Sequence, residues 1–324
     1  AMQHPEFGPD FARMTRELRE QRFPRGQTKM TEVLIDGRLK FRVDLGDRLG
    51  ADVYYGNYRE LLDIEALCRT MSPGDVVVDV GANFGIVAIM AADRLGANGR
   101  VIAFEPDSHA RTILTENIKL NRFGKRITIL PRCASNEDGM TRFHSMRESA
   151  FSGMADTGRA KPREVVMVPT QRLDSTAREL KLKRIDVLKI DVEGFEYAVL
   201  EGAAGILART PDPIVMYEVS PKNLDDKRRE QFRKLFVSMA GEGWESWAYA
   251  IDRNELVQVE TFDALVNGNH TNVFLGRSGS ARLAKLRESY QGIVTTRLLP
   301  LALRRMIGAP ETTEAEGNSP HSLQ

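Results

Sequence analysis

The chain has 324 residues, with 46 Lys and Arg against 45 Asp and Glu and a formal charge of +1. That balance excludes the basic excess of a dedicated nucleic-acid binder, and the length suffices for one large α/β domain with extensions. Its two cysteines, Cys68 and Cys133, lie outside any CxxC, which excludes a disulfide framework and a cysteine-rich zinc site and makes a reducing cytosol the expected compartment.

In chain order, the first residues lack the charged and apolar regions of a secretion signal, and no run is long and apolar enough to span a bilayer. Residues 10–29 carry arginines every third position among glutamates, which predicts a solvated mixed-charge helix ended by Pro24. TEVLIDGRLKFRV, residues 31–43, alternates apolar and polar positions around Asp36-Gly37, a hairpin signature. Residues 63–71 have helical spacing and stop at Pro73-Gly74; this helix is expected to cover a ligand site from the N-terminal side. Tyr54, Tyr55 and Tyr58 before it fit aromatic packing better than pocket lining.

The chain is organised around residues 76–85, VVVDVGANFG, a buried-type strand that turns through glycines into an apolar helical run. Glycine there admits positive φ and close ligand approach, and the helix start offers free N–H groups. A dinucleotide fingerprint needs glycine at 81, 83 and 86, where Gly81, Asn83 and Ile86 stand. The pattern is instead D-x-G-x-N-x-G, through Asp79, Gly81, Asn83 and Gly85. It resembles the first motif of class I S-adenosylmethionine-dependent methyltransferases, although a glycine-rich turn without a ligand remains the bland alternative. RVIAFEPD follows, and Glu105, 20 residues beyond Gly85, stands where a carboxylate binds ribose hydroxyls, with Pro106 beside it.

Asp107-Ser108 predicts the N-cap of a helix over residues 108–121. Residues 126–133 read as a third strand, which puts Ala134 and Ser135 at the expected adenine position. Residues 139–168 break the α/β rhythm with two strands, 141–145 and 165–168, around the polar rim FSGMADTGRAKPRE. A fourth strand (185–190), a helix (193–209), a fifth strand (213–219), a helix (226–241), a sixth strand (244–251) and a last strand (271–275) complete the pattern. This predicts a doubly wound, mostly parallel sheet with an antiparallel last strand, and brings Asp79, Glu105, Asp191 and Glu218 to one crevice at the strand ends.

Residues 281–307 form a basic amphipathic stretch, with docking on the domain as the simpler reading and membrane-surface contact as the other; the last residues have a disordered composition. The expected organisation is an N-terminal arm and hairpin over 1–50, an α/β domain over 51–278, and a tail over 279–324.

Taken together, DVGANFG, VIAFEPD, Arg172-Leu173-Asp174, IDVLKIDVEGFEYAVLEGA and IVMYEVSP resemble the FkbM family of S-adenosylmethionine-dependent O-methyltransferases over residues 75–221. The resemblance implies a class I (Rossmann-like) methyltransferase fold, S-adenosyl-L-methionine as cofactor and methylation of a hydroxyl on a sugar, glycan or natural product. Donor-binding positions are then Asp79, Gly81, Asn83, Gly85, Glu105, Pro106, Ala134 and Ser135.

An aliphatic hydroxyl gains from a general base or from a metal. Asp191, assisted by Glu193 or Glu218, is the candidate base, against the alternative that Asp191 and Glu193 cap the following helix. His270 is a further candidate, set against an ordinary loop histidine. The spacing demands no metal, although Asp191 and Glu218 offer hard oxygen ligands for magnesium or calcium. The rival functions are a methyltransferase-like scaffold that does not turn over and, disfavoured by Asn83 and Ile86, a nicotinamide-dependent oxidoreductase.

Overall fold

A computed structural model describes residues 17, 28–56, 58, 60–154, 162–250, 255–268 and 272–292. Most of the expected N-terminal helix, the end of the amphipathic tail and His270 lie outside them.

Strands β1 (Met30–Ile35) and β2 (Leu39–Asp44) form the expected hairpin. It turns where Asp36 and Gly37 both take positive φ, 54° and 68°. Helix α1 (Arg48–Tyr54), which hydrophobic periodicity did not reveal, is capped by Asp47, whose carboxylate accepts the Leu49 N–H. Helix α2 (Leu61–Thr70) leads into β3 (Val76–Val80), then α3 (Ile86–Leu95), β4 (Arg100–Phe104) and α4 (Ser108–Leu120). Asp107 caps α4 as its sequence predicts, accepting from the N–H groups of His109 and Ala110.

The third strand is shorter than expected. Pro131, with no N–H to donate, ends β5 at Leu130 (Ile127–Leu130). Cys133–Ala134 instead form β6, which joins β7 (Gly139–Ser145) and β8 (Glu164–Gln171) in a separate three-stranded sheet. Helix α5 (Leu173–Glu179), β9 (Val187–Ile190), α6 (Glu196–Arg209), β10 (Ile214–Glu218) and α7 (Asp226–Gly241) follow, then β11 (Trp244–Ala250), β12 (Glu255–Gln258), α8 (Phe262–Asn267), β13 (Asn272–Arg277) and α9 (Ala281–Gly292).

The main sheet has the order β12-β11-β13-β10-β9-β3-β4-β5 among the described residues. Pairing is parallel from β10 through β9, β3 and β4 to β5, while β13 runs antiparallel between β10 and β11. This is the class I methyltransferase arrangement. Strand order reverses at β3, so a crevice opens beyond the carboxyl ends of β3, β4 and β9.

Both sheet faces are covered, which is why the parallel strands read as near-continuous apolar runs. One core cluster gathers Phe41, Ile64, Leu67, Ile89 and Phe274; the other gathers Ile102, Phe104, Val199, Tyr217 and Phe232. The hairpin is bound into the first cluster by Asn117 of α4, which accepts the Arg42 N–H (2.6 Å) and donates to the Phe84 carbonyl (2.9 Å). Helix α9, the first part of the basic amphipathic stretch, docks on the domain. Its Leu283, Leu286 and Tyr290 are buried, Arg282 makes a bidentate pair with Asp75 (2.7 and 2.8 Å), and the Tyr290 hydroxyl donates to Asp63 (2.5 Å). Among the described residues no helix is long and apolar enough to cross a membrane.

Candidate active site

The glycine-rich turn leaves β3 with Gly81 at φ 77°, Asn83 at 49° and Gly85 at 97°. The two outer glycines answer different constraints. A Cβ on Gly81 would run into the Asp191 carbonyl, where the end of β9 crosses the turn, whereas a Cβ on Gly85 would run into the Leu114 side chain of α4. The Gly81 and Ala82 N–H groups donate to the Phe104 carbonyl at 3.1 and 3.0 Å, tying the turn to the end of β4.

Glu105 stands at that end, 5% exposed. Its carboxylate accepts the Asn83 N–H (2.6 Å) on one oxygen and the Asp107 N–H (2.8 Å) on the other. Burial pushes its pKa up to about 7, although the two N–H groups oppose the rise. A crevice that opens to solvent runs along this carboxylate. Gly81, Asn83, Glu105, Pro106 and Ala134 border it, and Cys133 and Phe143 add an apolar wall.

The sequence-derived donor positions therefore separate into two groups. Asp79 is fully buried behind the turn, 3.6 Å from the Lys189 ammonium. Gly85 packs on α4, and Ser135 is not among the residues that border the crevice; its carbonyl lies against Gly202 and its hydroxyl 3.3 Å from Asn136. The cover over the crevice comes from residues 149–154 and not from α2, none of whose residues borders it. Asn83 Nδ2 donates to the Ser149 hydroxyl (3.0 Å) and the Ser149 N–H to Asp47 (3.2 Å), so this cover is fastened both to the turn and to the cap of α1.

On the other flank, the end of β9 and the segment after it carry Asp191, Glu193 and Glu196, and β10 ends at Glu218. Carboxylate oxygens of Asp191, Glu193 and Glu218 lie within 4.8 Å of one another, a donor set that suits a hard cation. Glu193 takes φ 55° and accepts from Asn223 Nδ2 (2.5 Å). Glu196 accepts the Val192 and Gly194 N–H groups (3.2 and 3.1 Å), and its pKa is pushed up to about 7 by burial. The N-cap of α6 is Phe195, which makes no side-chain cap hydrogen bond, and Glu196 binds the preceding turn.

Burial and then the neighbouring Asp191 raise the pKa of Glu218 well above the usual carboxylate range. Glu60 is pushed up to about 7 for the same reasons and accepts from the Tyr58 hydroxyl at 3.1 Å.

Lys189 sits among these acids. Burial alone would lower its pKa, but Asp191, Asp79 and Glu60 together raise it. Sequence reading passed over it, although a lysine between Leu188 and Ile190 in a strand buried on both faces is itself a signal. Glu60 carried no such signal, because only the packing of α2 brings its N-cap position to Asp191.

The profile of the methyltransferase FkbM domain matches residues 79–250. Among curated proteins, the chain is 30% identical to AMB antimetabolite synthetase AmbE of Pseudomonas aeruginosa, over 45% of this chain and 8% of that one. It is 45% identical to ribosomal protein L11 methyltransferase of Carboxydothermus hydrogenoformans, over 21% of this chain and 22% of that one. The chain thus spans less than a quarter of the length of either relative. Among solved structures, methyltransferase FkbM from Methylobacillus flagellatus KT aligns over 83% of this chain and 60% of its own, at 14% identity and a TM-score of 0.40. An O-methyltransferase from Bacillus cereus in complex with SAH aligns over 67% and 78%, at 15% identity and a TM-score of 0.40. With the family match running over more than half of its length, the chain belongs to the methyltransferase FkbM domain family.

Proposed function

We propose that this protein is an S-adenosylmethionine-dependent O-methyltransferase acting on a hydroxyl of a sugar, glycan or natural product. The observation that carries the reading is Glu105, a buried carboxylate held by two backbone N–H groups beside a positive-φ glycine turn at the sheet's switch point. Its two oxygens suit a cis-diol, the N–H groups of the turn suit an amino-acid end, and the Ala134, Cys133 and Phe143 wall suits a flat heteroaromatic ring. When bound, S-adenosylmethionine supplies a methyl group already activated by its sulfonium.

What this chain's residues contribute is position and proton handling. Holding an acceptor oxygen in line replaces a bimolecular encounter by a geometric constraint. Asp191 borders the crevice beside Gly81, where it orients the acceptor hydroxyl and takes its proton. Glu193 and Glu218 assist within one acidic cluster, in which burial and the neighbouring Asp191 raise the proton affinity of Glu218 above the usual carboxylate range. His270 remains a second candidate for the proton acceptor. A nicotinamide reading is disfavoured further, because Ile86 is buried as the first residue of α3, where the dinucleotide pattern needs glycine.

Calorimetric titration with S-adenosylhomocysteine and with NADH tests the donor. One-site binding of the first only, lost in Glu105→Ala, is the expected result. No binding of either by folded protein returns the chain to the scaffold reading.

A further inference from the structure

Lys189 occupies the centre of β9, and its side chain is 7% exposed. An ammonium so placed is costly unless it is paired. Its Nζ donates to the Gly81 carbonyl at 3.0 Å and to Asp191 Oδ2 at 3.3 Å, with Asp79 Oδ1 at 3.6 Å. Parallel pairing of β3 with β9 sets Asp79 directly beside Lys189, so the lysine emerges one step below the turn it touches. The two nearer oxygens belong to different parts of the site. The Gly81 carbonyl is part of the turn that borders the donor crevice, and the Asp191 carboxylate is the group assigned to the acceptor.

From this bridge we infer that Lys189 is a positioning residue that locks the donor-binding turn and Asp191 into one unit and sets the charge of the crevice against the surrounding carboxylates. The inference rests on the methyltransferase reading above. It differs from a core-filling role in two ways. A lysine that only filled space would be replaceable by methionine with a change in stability alone. A bridging ammonium also couples Gly81 to Asp191, and it discriminates against a ligand that carries an additional positive charge. S-Adenosylmethionine carries one positive charge more than S-adenosylhomocysteine.

The test is calorimetry on the full chain, as wild type, Lys189→Met, Lys189→Arg, Asp191→Asn and the double variant Lys189→Met/Asp191→Asn, with each ligand in turn. Absence of S-adenosylhomocysteine binding by the wild type would overturn the donor reading itself, before any variant is compared. Given that binding, Lys189→Met is expected to weaken S-adenosylhomocysteine about tenfold, as the loss of a charged hydrogen bond implies, and Lys189→Arg to recover most of it.

S-Adenosylmethionine should weaken less than S-adenosylhomocysteine in Lys189→Met, so that the affinity ratio moves roughly three- to tenfold in its favour. Asp191→Asn should change S-adenosylhomocysteine affinity about fivefold alone and by less than twofold in the Lys189→Met background. Equal loss of both ligands with multiplying effects of the two substitutions, or wild-type binding by folded Lys189→Met, overturns the inference. If Lys189→Met does not fold, Lys189→Gln, an uncharged donor, takes its place: a shifted ligand ratio supports the inference and an unshifted one overturns it.

Discussion

The crevice has two walls built from the same residue type with opposite treatment. On the donor wall, Glu105 is held by the N–H groups of Asn83 and Asp107, and Asp107 in turn by those of His109 and Ala110 and by the Ser145 hydroxyl. On the acceptor wall of the proposed site, Asp191 borders the crevice with Glu60 and Glu218 close to it, and the groups that meet these acids are side chains, Tyr58 and Lys189. Backbone donors fix a carboxylate in space, because their positions follow from strand and helix geometry. Burial beside Asp191 leaves Glu60 and Glu218 with raised proton affinity, which in the proposed mechanism suits acids that assist a proton transfer. In the proposed mechanism one wall holds the donor and the other exchanges a proton.

The sharpest way to break this contrast is Asp191→Asn. With an accepted hydroxyl substrate, turnover should fall roughly 100- to 1000-fold while S-adenosylhomocysteine affinity moves by only about fivefold. Full turnover by the folded variant would remove Asp191 from proton transfer and direct attention to Glu218 or His270. On the donor wall the pattern should invert: Glu105→Ala is expected to weaken S-adenosylhomocysteine about 100-fold by calorimetry, with Tm changed by only a few degrees.

Acidity sharpens the comparison further. In the proposed site Glu105 binds a diol as its carboxylate, and burial pushes its pKa up to about 7. Affinity for S-adenosylhomocysteine should therefore fall as pH drops below 7, approaching tenfold per unit, and Glu105→Gln should abolish that dependence.

Stability runs the other way. Glu105 and Glu196 at about 7 and Asp63 at about 6 are all raised by burial, so the folded protein holds their protons more tightly than the unfolded chain does. That stabilisation is complete below their ordinary values of 4.5 and 3.8 and is lost as pH rises through 6 to 7. Tm of the ligand-free protein should decline over this window, and less steeply in Glu196→Gln. The smallest effect is expected at Asp63, which does not border the crevice: Tyr290→Phe removes one of the two donors to Asp63 and should cost about 1 kcal/mol in denaturant unfolding, with donor binding unchanged.

Local rules made much of this protein legible in one dimension. Asp36-Gly37 dictates the hairpin, Asp107 caps its helix, and the spacing from Gly81 to Glu105 places a carboxylate beside a glycine turn because strand, helix and strand have set lengths. Where tertiary contacts decide, the same rules were silent or misled. The third strand ends at Leu130 before Pro131, and Cys133 and Ala134 join a second sheet. The strand pair around residues 149–154 was legible in the sequence, but that this segment covers the crevice was not, because only its contacts with Asn83 and Asp47 place it there.

What the amino-acid order determined was the alternation of strands and helices, the turn that meets the donor crevice, and the presence of Asp191, Glu193 and Glu218 near one strand edge. These depend on φ, on hydrogen-bond donors and on apolar period, all properties of neighbours in the chain. Only the tertiary structure set Lys189 between Gly81 and Asp191 and brought Glu60 of a distant helix to the same acids. Gly81 and Lys189 stand 108 positions apart and Glu60 and Asp191 stand 131 apart; these contacts exist because parallel strand pairing and burial in a shared core, not local preference, choose which side chains meet.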